Sequence, residues 1–161
     1  MQKHVHSFGA KEVKELLSDS PFIVQVGCRK PDTVLAMLEA MPACHVVCFD
    51  AEHPRPIAPF SDPPRLNWLP VSIAAKVSGN GKEKQVRPLD YYWDEFRIPV
   101  DMILADDYDD VPGLILGGQR TFGNTRYLAF RPGCRALTPF LPGFDLAATY
   151  CGALVYKNTE L

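Results

Sequence analysis

The stretch Phe22-Ile-Val-Gln-Val-Gly-Cys28 limits the fold more than any other part of the chain. Phe22, Ile23, Val24 and Val26 form a near-continuous apolar run, interrupted once by Gln25 and closed by Gly27. A short β-branched run of this kind reads as a strand covered on both faces, as in a parallel sheet. Gly27 permits a sharp turn and lets a ligand approach the backbone. Beyond Arg29-Lys30, Pro31 suits a first helical position, with Asp32 and Thr33 in the first turn. Val34, Leu35, Leu38 and Met41 then recur at helical spacing. Strand, glycine turn and helix is how a nucleotide-binding α/β unit begins.

A second strand, His45-Val-Val-Cys-Phe-Asp50, is apolar until its last residue. Asp50 thus stands at a strand end roughly 20 residues after the glycine turn, where an acid accepts hydrogen bonds from ribose hydroxyls in dinucleotide-binding sheets. The plainer alternative is that Asp50 caps the next turn. A length of 161 residues suits one domain with a sizeable core. A net charge of −2 gives no reason to expect nucleic acid or an anionic membrane as partner. No apolar stretch approaches the roughly 20 residues that span a bilayer, and Met1-Gln-Lys-His-Val-His6 lacks the apolar core of a signal peptide. The five cysteines, at 28, 44, 48, 134 and 151, form no C-x-x-C pair. They read as reduced, mostly buried thiols of a cytoplasmic protein, without a metal site.

In chain order, residues 7–19 form an amphipathic helix that ends at Ser18-Asp-Ser-Pro21, so that residues 1–20 are a helical lead-in. After Asp50, prolines at 54, 56, 59, 63 and 64 exclude a helix. His53 in this loop reads as solvated. Asn67–Ala74 is a third strand, with Pro70 marking an edge or bulge. Pro88–Phe96 reads as a short helix whose Tyr91, Tyr92, Trp93 and Phe96 face inward. Val100–Asp106 is the fourth strand and runs into Asp106-Asp-Tyr-Asp-Asp110, the sharpest charge feature in the chain. Repulsion there would raise some carboxyl pKa values or recruit a cation. A glycine-weakened helix follows from Pro112 to Arg120, then a fifth strand, Arg126–Phe130. Phe144–Tyr150 and Gly152–Lys157 close the chain as an antiparallel pair. The expected fold is one α/β domain over residues 1–161, with a doubly wound, mostly parallel Rossmann-like sheet.

This order of elements resembles S-adenosylmethionine-dependent methyltransferases, and more narrowly the FkbM family, from Phe22 to Asn158. The resemblance is carried by Pro88-Leu-Asp90 followed by Ile98-Pro-Val-Asp-Met-Ile-Leu-Ala-Asp106, by Gly117-Gly118, and by Leu141-Pro-Gly-Phe144. It implies a methyltransferase-type sheet, S-adenosylmethionine as cofactor, and Gly27, Cys28, Asp50, Ala51 and Ser72 as cofactor-binding positions. The same resemblance assigns Asp106, and second Asp107, to orienting the acceptor or the cofactor amine. Leu104 stands where the family has lysine, and Asp107-Tyr-Asp-Asp-Val111 replaces its Val-Glu-Gly-Ala-Glu.

The expected reaction is O-methyl transfer to a small-molecule or sugar hydroxyl, with a homodimer left open. One alternative is a methyltransferase-like domain that binds or assembles without catalysis. Another takes Asp107-Tyr-Asp109 as the metal-binding D-x-D of a nucleotide-sugar glycosyltransferase.

Overall fold

The computed structural model describes residues 2–28, 31–52, 65–76, 85–105, 108–131 and 141–161. Ten strands are defined: β1 Gln2–Ser7, β2 Phe22–Val26, β3 His45–Phe49, β4 Leu66–Leu69, β5 Val71–Ile73, β6 Gln85–Arg87, β7 Val100–Ala105, β8 Thr125–Phe130, β9 Phe144–Cys151 and β10 Ala153–Asn158. Four α-helices join them: α1 Ala10–Leu16, α2 Pro31–Ala40, α3 Val111–Gly117 and α4 Gln119–Gly123. Among the described residues no helix is long and apolar enough to cross a membrane.

Eight strands form one sheet in the order β1-β9-β10-β8-β7-β2-β3-β4, and β5 pairs with β6 in a small parallel sheet. β2 lies between β3 and β7, parallel to both. From β2 the chain steps outward through β3 and β4, then returns to β7 on the other side and steps outward again through β8. The winding direction therefore reverses between β2 and β7. In open α/β sheets that reversal leaves a crevice outside the carboxyl ends of the strands. β10 runs antiparallel to both of its neighbours, β8 and β9. The C-terminal hairpin is as expected, with its second strand inserted inside the sheet.

Both faces of β2 are buried, which explains its near-continuous apolar run. Phe22, Val24 and Val26 join the core with Leu89, Leu114 and Phe122 from the α3 and α4 side. Ile23 joins the opposite core with Val13 of α1 and with Val34, Met37 and Leu38 of α2. The fully buried ones among these each contribute roughly 1.5–3 kcal/mol by leaving water. Gln25, the polar interruption, is 3% exposed and donates from Nε2 to the Gly27 carbonyl at 3.0 Å, bracing the turn that follows. α2 ends on a cation from elsewhere in the chain. Arg65 Nη2 donates to the Leu38 and Met41 carbonyls at 2.5 and 2.8 Å, and its Nε to Cys44 O at 3.2 Å. A charge there satisfies carbonyls that the helix leaves unpaired and complements its dipole.

Several expected elements differ. The lead-in starts with a strand, β1, which pairs in parallel with β9, and its helix is limited to α1. The third strand divides at Pro70, which has no N–H to donate. β4 stays at the edge of the main sheet, while β5 leaves it to pair with β6, a strand absent from the sequence reading. Pro88–Phe96 is a 3-10 helix, Leu89–Glu95, rather than an α-helix. Its aromatic residues divide: Phe96 is buried, Tyr92 stacks on Phe49 at 4.8 Å, and Tyr91 is 62% exposed. Trp93 lies under the Arg120 guanidinium, 4.1 Å from it, in a cation–π contact.

The helix expected from Pro112 to Arg120 breaks at Gly118 into α3 and α4. The second half starts on Asp90, whose carboxylate accepts from the Arg120 and Thr121 N–H groups at 2.9 and 2.8 Å and from Thr121 Oγ1 at 2.7 Å. This is an N-terminal cap supplied by another element. Asp90→Ala is expected to lower the unfolding free energy by about 1–2 kcal/mol, the range for losing a helix cap. Urea denaturation checks this, and an unchanged midpoint would remove Asp90 from the fold's supports.

Candidate functional site

β2 ends at Val26, and Gly27 turns the chain with φ +77°. An L side chain rarely adopts that conformation, so glycine is required there. The Gly27 N–H still donates to Phe49 O at 2.8 Å, and the Cys28 N–H donates to Asp50 Oδ2 at 2.6 Å. The other oxygen of Asp50 accepts from the Glu52 N–H at 2.7 Å. Asp50 is 4% exposed. Its carboxylate therefore clamps the β2 turn to the β3 turn and caps the latter, which is the plainer of the two roles read from the sequence.

A cleft of about 280 Å³ opens above this clamp, at the point where the winding reverses. Its walls are the β2 turn, the β3 end from Asp50 to Glu52, strand β5, and the segment Tyr108–Asp110 that leads from β7 to α3. The cleft-lining acids are Asp50, Glu52, Asp109 and Asp110, and no lysine, arginine or histidine lines it among the described residues. Asp109 points outward, 74% exposed and paired with Arg131 at 2.8 Å. Asp110 caps α3, accepting from the Gly113 N–H at 3.1 Å.

Tyr108 crosses the cleft. A methyl group added at Gly27 would lie 3.0 Å from Tyr108 Cδ1 and 3.5 Å from its Cβ, so the ring packs directly on the glycine. The phenol donates to the Ile73 carbonyl on β5. Burial is the main cause that pushes its pKa up, to about 12. The hydroxyl is therefore a donor throughout the neutral range. Its contribution to stability is complete below the ordinary value near 10 and is lost as pH rises towards 12.

Cys28 and Cys48 meet side chain to side chain below the turn. That hydrogen bond, and then burial, hold the Cys48 thiol well above its ordinary pKa. Burial pushes Cys44 up to about 11. Both stay protonated at neutral pH and make poor nucleophiles. Cys151 is exposed, and Cys134 lies outside the described residues.

The structure brings all five expected cofactor positions, Gly27, Cys28, Asp50, Ala51 and Ser72, to the wall of one cleft. Asp106 and Asp107 lie outside the described residues, as do Arg29, Lys30 and His53. The sequence reading gave Tyr108 no role, although an aromatic residue amid four aspartates was a visible signal. A second cleft, of about 320 Å³, is lined by apolar residues of α3, α4 and the segment before β9, with Gln119 as its polar side chain. Among the described residues no titratable group lines it.

No family model matches the sequence, FkbM included, and no curated protein matches it. Among solved structures, the fold matches the MycE methyltransferase from the mycinamycin biosynthetic pathway, solved in complex with Mg and SAH. The TM-score is 0.52 at 10% identity, over 86% of this chain and 41% of MycE. This chain thus spans about two fifths of the length of that protein. At such identity the likeness shows the fold: a Rossmann-like sheet of the methyltransferase type.

Proposed function

We propose that the cleft binds S-adenosylmethionine and that the protein transfers its methyl group to a hydroxyl of a small-molecule or sugar acceptor. The observation that carries this reading is the pairing of the Gly27 turn with the Asp50 carboxylate at the reversal of the sheet. MycE, which shares the fold, was solved with SAH. The electrostatics agree. The carboxylates that line the cleft suit sulfonium and ammonium groups.

The cofactor supplies an electrophilic methyl group on sulfur. The chain's part is to bind the adenosyl portion at Asp50 and Ser72, to hold the acceptor in line, and to take its proton. Alignment supplies much of the rate, and a hydroxyl acceptor also needs a base. Asp106 is the residue we assign to orienting the acceptor or the cofactor amine, with Asp107 second, because both follow the last residue of β7 in sequence. The Mg named with MycE raises the same question for the acidic turn of this chain. Among the described residues no group of three metal-ligating side chains is assembled.

Calorimetric titration with S-adenosylmethionine, S-adenosylhomocysteine and a nucleotide sugar, each with and without Mg²⁺, tests this reading. The first two should bind and the third should not. Metal-dependent binding of the nucleotide sugar would overturn the assignment. One observation favours a non-catalytic domain instead: the Tyr108 ring occupies the face of Gly27 that a ligand would use. If neither adenosyl ligand binds at millimolar concentration, that second reading replaces the first.

A further inference from the structure

We propose that Tyr108 is the gating residue of the cleft: its ring closes the space over Gly27 and must swing away before a cofactor reaches the glycine turn. The inference rests on the cofactor reading above, but the closed position is a property of this chain alone. Gly27 has the backbone conformation that only glycine adopts without strain, and the group that exploits its missing side chain is the tyrosine ring. From there the ring spans the cleft to Ile73, so one side chain joins the β2 turn to β5. A cleft of about 280 Å³ lies just under the roughly 300–1,000 Å³ that ligand pockets usually offer. Displacing an aromatic ring that lines it would bring it into that range.

The ring of Tyr108 is only partly buried, so it can leave without opening the core. Its backbone N–H reaches Ala105 O at 3.3 Å, a long hydrogen bond, and its side chain packs against the core and donates to Ile73. Asp110 is the firm point, through its cap on α3. The ring can therefore turn about a fixed base. While it is closed, only the open fraction of molecules accepts ligand, and the apparent affinity falls by that fraction.

Two variants separate the tether from the ring. Tyr108→Phe keeps the ring and loses the bond to Ile73. Tyr108→Ala loses both. Stopped-flow binding of S-adenosylmethionine should show the association rate constant of Tyr108→Phe rising roughly three- to tenfold, the effect of removing one hydrogen bond from the closed state. A second readout needs no cofactor. The ring packs on Gly27, and the Phe122 N–H of α4, away from this cleft, serves as internal reference. Amide hydrogen exchange at Gly27, normalised to Phe122, should quicken at least tenfold in Tyr108→Ala.

An unchanged Gly27 exchange rate in Tyr108→Ala, or unchanged or slower association in Tyr108→Phe, overturns the gate and leaves the cofactor reading standing. If Gly27 exchange quickens but no variant binds an adenosyl ligand, the gate stands as the cover of the cleft and the methyltransferase reading falls. A circular dichroism spectrum matching the parent's shows that each variant is folded, and Tyr108→Phe preserves the test should Tyr108→Ala fail to fold.

Discussion

Gly117→Ala is expected to lower the unfolding free energy by about 3 kcal/mol, at the upper end of the cost of overpacking a well-filled site. The added Cβ would lie 2.4 Å from the Ala74 carbonyl oxygen and 2.9 Å from Pro88 Cβ. Neither obstacle is the flexible end of a side chain, so relief requires α3 to move away from the segment that joins β5 and the 3-10 helix. Helix propensity opposes this, since alanine is favoured over glycine by up to about 1 kcal/mol inside a helix, but a backbone collision is the larger effect. For a chain of this size the loss corresponds to a fall in Tm of roughly 6–12 °C. Gly123→Ala provides the control, because nothing lies within 4 Å of its added Cβ. That variant should match or slightly exceed the parent in stability. Equal thermal midpoints for the two variants would show that α3 does not pack as closely as described.

Asp50→Ala is expected to have a double effect, on stability and on ligand binding. Removing the carboxylate leaves the Cys28 and Glu52 N–H groups without this acceptor, and the first bond is fully buried. Hydrogen bonds to a charged group contribute about 1.5–3 kcal/mol each, so a loss of about 3 kcal/mol is expected. Asp50→Asn retains one acceptor oxygen and should lose about half as much. If Asp50 also holds the ribose, S-adenosylmethionine affinity falls a further 10- to 100-fold in whatever fraction remains folded, about 1–3 kcal/mol of binding. Urea denaturation gives the first quantity and titration below the unfolding transition gives the second. A destabilised variant with undiminished affinity would confine Asp50 to clamping the two turns together.

Much of this architecture was legible because apolar runs report burial. Phe22–Val26, His45–Phe49 and Val100–Ala105 each read as strands, and each is one, since a parallel sheet covered on both faces needs such runs. The meeting of Gly27 with Asp50 was legible for a related reason: successive parallel strands deliver their carboxyl ends to one edge of the sheet. What local pattern could not show was partnership. Gln2–Ser7 is a strand because β9, far along the chain, offers it an edge, and its own residues carry no periodic signal. The break at Gly118 depends on an acid from the 3-10 helix, and the end of α2 depends on Arg65.

The sequence by itself determined the doubly wound sheet, the covered place of Phe22–Val26 within it and the acids that end its strands, because hydrophobic period follows from the chain's own residues. Only the tertiary structure decided what faces Gly27. Absence of a side chain is visible in a sequence, whereas the group that fills the vacancy is set by how separate elements pack. Here that group is Tyr108, 81 positions along the chain, anchored to a third element at Ile73.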